Sequence, residues 1–437
     1  MLLLLLQTAD PAHLAGTLLP RGFFLGLGLI YLSALMLDRL AERLRLPAAV
    51  AILLLGLAIP SNVLPQAQPL GSLQLETIHR VSLALLIFYA GLKTDLRRIQ
   101  GVRRACLGLG TVGVLITLVL TGLVMIPVAA AVQPALPLSA LLLTVCCLAA
   151  TDSGALEDLL AALRHRVPER LEHVLQVEAA LSTVMALLVF GFLSGILQVQ
   201  PHQGHQLLHA AMAGGWMQQS GAVALHVIAG MVAGLVVGGL APRLIDGLVR
   251  SEQQLLLVAV ALAFVAYGFG QILGGGGLVA VFVAGVFLSN GHYQINRFER
   301  QALGHVMHPF NTAAEITVLL LLGILVQPVE LIPVLPLALP LALVLPLARL
   351  AGVWLVLPAT IFSQHDRLTV AGCGLRSAVP LALAVSLADE LPNLRGVAAE
   401  AAESLGSGLL AMLFVVVVVD LCAQTVLMRR LLPAPAV

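Results

Sequence analysis

Residues 149–184 read AATDSGALEDLLAALRHRVPERLEHVLQVEAALSTV. This stretch sets Thr151, Asp152 and Glu178 in or beside long apolar runs. A carboxylate at the centre of a bilayer costs roughly 2.5–3.5 kcal/mol even on lenient insertion scales, so such residues face a cavity or a partner and mark function. The rest of the chain reads as the frame that holds them.

The chain has 437 residues, of which 59% are hydrophobic and 10% charged. Soluble domains carry about a quarter charged residues, so this is the composition of an integral membrane protein. A net charge of +1 argues against nucleic acid, which demands a basic face able to neutralise many phosphates. The five cysteines, Cys106, Cys146, Cys147, Cys373 and Cys422, lie in or at the edge of apolar runs without metal-ligand spacing and read as packing residues. Nothing resembles a phosphate loop after a strand, a metal cluster, or a nucleophile with a His partner, so the chain is not expected to be an enzyme or to need a cofactor.

A helix needs roughly 17–25 mostly apolar residues to cross hydrocarbon. Thirteen stretches qualify, near 20–38, 47–60, 76–92, 105–131, 138–162, 171–197, 222–240, 253–271, 275–290, 307–326, 331–359, 368–388 and 406–428. Lys and Arg collect in cytoplasmic loops, and alternate loops here hold 18 of the 23 basic residues. The pattern places the N-terminus outside and the C-terminus in the cytoplasm, in what reads as a bacterial plasma membrane. Residues 198–222 and the acidic stretch 389–403 then fall outside. The organisation is a tail (1–19), a six-helix repeat (20–197), an external loop with a linker helix (198–252) and a second six-helix repeat (253–437). With the seventh span as linker, the two sixes are inverted relative to each other, a recurring transporter design whose site lies where a helix in each half is broken.

The fifth span of each half is the pair to inspect. One contains Ala150-Thr151-Asp152-Ser153-Gly154 and the other Gly372-Cys373-Gly374-Leu375-Arg376-Ser377-Ala378-Val379-Pro380. Both are poor continuous helix, and unwound backbone survives in a bilayer only where protein or cavity water satisfies it. Asp152 and Arg376 have the charges to compensate the exposed helix ends, a role that is structural as readily as functional. Glu178 and Arg349 each sit in an apolar helix, and the simplest inference is that they pair, because a lone buried charge costs several kcal/mol. Ser182 and Thr183 either supply ligand oxygens or bond back to the carbonyl a turn earlier.

In order along the chain, LLIFYAGLKTDL (85–96), TDSGAL (151–156), VEAALSTVMA (177–186), GGGGLVAVFVAGVFLSN (274–290), ARLAGVWL (348–355) and GLRSAVPLALA (374–384) resemble the monovalent cation:proton antiporters of the sodium/proton exchanger type. The resemblance implies an all-α polytopic fold with inverted repeats of six, two crossed broken helices in a mobile core, and a dimerisation domain that joins two copies. It also implies that the sixth helix carries an Asn-Asp pair whose Asp binds cation and proton in turn. Here that pair is Ser182-Thr183, and a hydroxyl can ligate a cation but cannot exchange a proton near neutral pH.

Exchange of a monovalent cation, Na⁺ first, for H⁺ by alternating access is therefore expected with a displaced carboxylate. Asp152 and Glu178 are the candidates, Thr151, Ser182 and Thr183 complete a hard-cation site, and a Na⁺ position suggests itself at Thr151, Asp152 and Thr183. Asp420 and Glu315 are further buried acids, the latter expected to be structural because the resemblance puts it in the scaffold. The alternative is a transporter of the same fold that moves an anion or neutral solute, with Arg349 and Arg376 as contacts, or a cation pathway without proton coupling.

Overall fold

The computed structural model describes residues 46–58, 72–94, 96–97, 101–163, 166–197, 216–291, 300–394 and 396–432, with scattered positions between 28 and 41. The expected tail (1–19), most of the first span and most of the external loop at 198–222 lie outside the described residues. Among the described residues the fold is entirely helical.

The helices are α1 (Ala48–Ala58), α2 (Ser72–Lys93), α3 (Arg103–Val132), α4 (Leu138–Ala149), α5 (Ser153–Ala162), α6 (Glu169–Leu197), α7 (Trp216–Leu248), α8 (Glu252–Ile272), α9 (Gly277–Asn290), α10 (Arg300–Leu325), α11 (Leu331–Val356), α12 (Gln364–Gly372), α13 (Ala378–Glu390) and α14 (Ala399–Leu431). Twelve of the thirteen anticipated stretches coincide with them. Seven are long and apolar enough to cross a membrane singly, α3, α6, α7, α8, α10, α11 and α14, and α4 with α5 makes an eighth span bent by 42°. Large apolar side chains such as Leu123, Leu257, Leu343 and Leu355 stand more than half exposed, the outward face that lipid covers. Helix α7 runs well beyond the predicted 222–240, and the acidic stretch 389–403 is less of a loop than its charges suggest, because α13 continues to Glu390 and α14 starts at Ala399.

Helix contact in a bilayer relies on small residues, since lipid tails are as apolar as leucine. Gly56 of α1 and Gly323 of α10 face each other so closely that a Cβ on Gly56 would stand 2.6 Å from the Leu320 carbonyl oxygen. Gly91 of α2 and Gly285 of α9 repeat the arrangement, with 2.6 Å from a Gly285 Cβ to the Phe88 oxygen. Helices α1, α2, α7, α8, α9 and α10 pack together by such contacts. Against them lie α3, with a single π turn at Leu109–Gly113, α6, α11, α14 and the two broken pairs.

Both breaks have local causes. Ala150 and Asp152 adopt extended backbone, and the Asp152 side chain caps α5 by accepting the Gly154 N–H at 2.8 Å. Asp is among the strongest N-cap residues. In the second pair, residues 373–377 are non-helical and Pro380 falls in the first turn of α13, where a missing N–H leaves no bond unmade. By contrast Pro336, Pro340 and Pro346 stay inside the continuous α11. Proline alone does not break a span here.

Candidate functional site

The two breaks cross and are tied to each other. The Asp152 N–H donates to the Leu375 carbonyl at 2.9 Å. Asp152 Oδ2 accepts from the Val379 N–H at 3.2 Å while Oδ1 holds Gly154. One carboxylate thus caps the N-termini of α5 and α13 together, where two partial positive charges converge. The opposite ends of the breaks present carbonyls, and Arg376 answers them. Its Nε donates to Leu148 at 2.6 Å, at the end of α4, and one Nη reaches Gly374 at 3.4 Å. Asp152 and Arg376 thus hydrogen-bond to the ends of the broken helices, and both are buried.

Arg376 has a second duty, since its Nη1 lies 3.1 and 3.2 Å from the two oxygens of Asp420. Gln424 donates to the same carboxylate at 2.6 Å. Glu178 and Arg349 form a two-pronged pair at 3.0 and 2.9 Å, the geometry in which a planar guanidinium binds a carboxylate best. Arg349 also donates to the carbonyls of Ala371 and Val370, both at 3.3 Å, at the end of α12. Gly374 is required beside it, because a Cβ there would collide with the guanidinium. Between these pairs lies a cavity of about 10 Å³ lined by Ala149, Glu178, Arg349 and Arg376, room for about one water at most.

A hydroxyl cluster fills the inner face of α6 against the first break. The hydroxyls of Thr151 and Ser182 are hydrogen-bonded. Ser182 Oγ also donates to Ala179 O at 2.8 Å, and Thr183 Oγ1 reaches both Ala179 O at 3.0 Å and Thr151 O at 2.9 Å. Back-bonding to α6 and contact with the break thus occur together at Thr151, the residue before Asp152, and all four residues are buried.

Glu315 arrives from α10, on the other side of the break. Ser377 Oγ donates to its Oε1 at 3.4 Å, and a Cβ built on Gly154 would stand 2.7 Å from Glu315 Oε2 and 3.3 Å from Asp152 Oδ1. Among the described residues, no cluster of three or more His, Cys, Asp or Glu is arranged to hold a metal ion.

Glu157 and Tyr89 carry a network that the sequence reading did not single out. Lys93 Nζ lies 2.5 Å from Glu157 Oε1, and the Tyr89 hydroxyl donates to Glu157 Oε2 at 2.9 Å and contacts His308 Nδ1 at 3.2 Å. Beside it opens a cavity of about 290 Å³ lined by Lys93, Glu157, Glu172 and Gln176 among others. The available signal was the acidic pair Glu157-Asp158 inside an otherwise apolar half-helix.

Residues 28–433 match the family described as sodium/hydrogen exchanger, transmembrane. The K⁺/H⁺ antiporter NhaP2 of Shewanella oneidensis is 28% identical over 370 residues, 83% of this chain and 60% of that protein. The Na⁺/H⁺ antiporter NhaS2 of Synechocystis is 27% identical over 268 residues, 60% of this chain and 44% of that protein. The present chain thus spans at most about 60% of the length of these relatives. In structure it resembles the sodium proton antiporter MjNhaP1 of Methanocaldococcus jannaschii, with a TM-score of 0.72 and 20% identity over 92% of this chain and 94% of that one.

Proposed function

Since this chain belongs to the sodium/hydrogen exchanger family, we propose that it is a secondary transporter that exchanges a monovalent cation for protons at the crossing of α4–α5 with α12–α13. The observation that carries the reading is Asp152, a buried carboxylate that caps two half-helices at once and follows Thr151, which the hydroxyls of Ser182 and Thr183 engage. Neutral oxygens and one acid suit a small hard cation. The cation is Na⁺ or K⁺, since the named relatives include antiporters of each. Thirteen spans in two inverted sixes, an external N-terminus, a cytoplasmic C-terminus and a homodimer in the bacterial plasma membrane complete the proposal. The two crossed breaks, one in each half, support the repeat.

Transport of an anion would require a cationic contact for it. Arg349 and Arg376 are held by Glu178 and Asp420 around a space too small for more than about one water, which favours the cation reading. Glu178, engaged by both nitrogens of Arg349, is a scaffold pair in this account. The test uses the purified chain in liposomes with a pH-sensitive dye and an imposed pH gradient. KCl or NaCl should collapse the gradient while choline chloride leaves it standing; equal collapse with all three salts overturns cation exchange.

A further inference from the structure

Of the four buried carboxyls near the crossing, two have a guanidinium and two do not. Glu178 has Arg349 and Asp420 has Arg376. Among the described residues Asp152 is held by backbone N–H donors, those of Gly154 and Val379 foremost. Glu315 is buried, with 9% of its surface exposed, and its one hydrogen bond among the described residues is the long contact from Ser377 to Oε1. Its Oε2 accepts nothing there and lies against Gly154: a Cβ built on that glycine would stand 2.7 Å from Glu315 Oε2 and 3.3 Å from Asp152 Oδ1, so the two carboxyls approach one point. Only a residue without a Cβ lets the Glu315 carboxyl come so near the break.

The helix N-termini relieve Asp152, but the side-chain charges around the pair do not relieve Glu315. The groups that act on Glu315 most strongly through space are Asp152, Asp158 and Glu157, all acidic and all on or next to α5. On its own helix the nearest titratable group is His308, two turns away and in contact with Tyr89 of α2. From the second break Ser377 is its neighbour, and Lys93 of α2 is taken by Glu157. Two carboxyls around one small space, in low dielectric and with no guanidinium or ammonium on either, cannot both stay ionised uncompensated. What neutralises them is a proton or a cation.

We infer that Glu315 and Asp152 form one exchange site for the proton and a monovalent cation, across the space over Gly154. The site supplies the carboxylate that Thr183 cannot, and it joins α10 to the break. When the cation enters, the O–H bond of one carboxyl breaks and that proton leaves to water; when a proton returns, the O–H re-forms and the cation leaves. The pair keeps the same net charge in either state. Glu157, which borders the 290 Å³ cavity, and Asp158 lie on the same half-helix and extend acidic character from that cavity toward the site.

This inference rests on the exchange reading above, and wild type is measured first to separate the two. If wild-type liposomes respond to choline as to KCl and NaCl, the exchange reading and this site fall together. With wild-type exchange in hand, Glu315→Gln should reduce cation-driven proton movement to the level of protein-free liposomes, and Glu315→Asp should restore it with a displaced pH profile. Gly154→Ala, which keeps both acids and fills the space between them, should weaken exchange and raise the cation concentration giving half-maximal rate. Folding is checked on the same samples by thermal unfolding in detergent. Wild type should gain thermal stability on addition of KCl or NaCl relative to choline chloride, and Glu315→Gln should remain folded yet lose that gain. Exchange by Glu315→Gln with wild-type rate and pH profile would overturn the site while leaving cation exchange in place, as would an unchanged cation-dependent gain in stability.

Discussion

On one flank of the crossing, Glu178 and Asp420 meet Arg349 and Arg376 at 2.9–3.2 Å around a nearly closed interior. On the other, Asp152 and Glu315 border the space over Gly154 with backbone N–H groups and one serine as their partners. All four acids are buried, and partner chemistry separates them. A carboxylate clamped by a guanidinium is a fixed part of the protein's charge. A carboxylate held by helix ends and one hydroxyl retains the freedom to trade one counter-charge for another, and on the exchange reading proposed above that difference divides framework from working site.

The largest effect should come from breaking a clamp. Arg349→Ala leaves Glu178 buried and uncompensated and should cost about 3–5 kcal/mol, seen as loss of a monodisperse species in detergent. Replacing both partners, Glu178→Leu with Arg349→Met, should recover much of that, though not the bonds from Arg349 to Ala371 and Val370; a double variant no more stable than the single would show that the pair does not account for the loss. Asp152→Asn inverts the pattern. Its amide oxygen can still cap one half-helix, so stability should fall by only about 1 kcal/mol, while exchange in liposomes disappears. Retained exchange would move Asp152 to the framework side.

Smaller effects sharpen the boundary. Thr183→Val removes a hydroxyl that bonds both Ala179 and Thr151; a loss of about 1 kcal/mol is a few-fold in apparent cation affinity, read from the salt dependence of the exchange rate. An unaltered salt dependence would make the hydroxyl cluster purely structural. Least of all, Lys93→Gln opens a pair with Glu157 whose side chains are 26% and 19% exposed at the edge of a cavity, for which about 1 kcal/mol is at stake. Its unfolding temperature should stay near wild type.

Much of this was legible in the residues. Run length located the twelve stretches in which the fourteen helices named above lie, because the bilayer sets a minimum apolar length. The Glu178–Arg349 pair followed from two opposite charges that hydrocarbon would not tolerate alone. The Ala150–Gly154 and Gly372–Pro380 breaks followed from residues that make poor helix, and their two charges proved to serve the helix ends. The partner of Asp420 was not legible. Arg376 extends from non-helical backbone, so no helical period says where it points. The placement of Glu315 against Gly154 and Ser377 was hidden for another reason. It arises from the packing of elements 62 and more residues apart in sequence, and the family resemblance drew attention to α6 instead. The ends of α7 and α13 were missed because polar residues continue those helices past the apolar runs.

The bonds that stitch the two breaks together also carry a mechanical consequence. Asp152 to Leu375, Val379 to Asp152 and Arg376 to Leu148 link the halves in both directions. Sliding one half-helix past the other would strand these donors and acceptors where no water replaces them, at several kcal/mol for each group left bare in hydrocarbon. The crossing is consequently a rivet rather than a hinge: a displacement applied to α4 and α5 is handed on to α12 and α13, and flexing is relegated to its periphery.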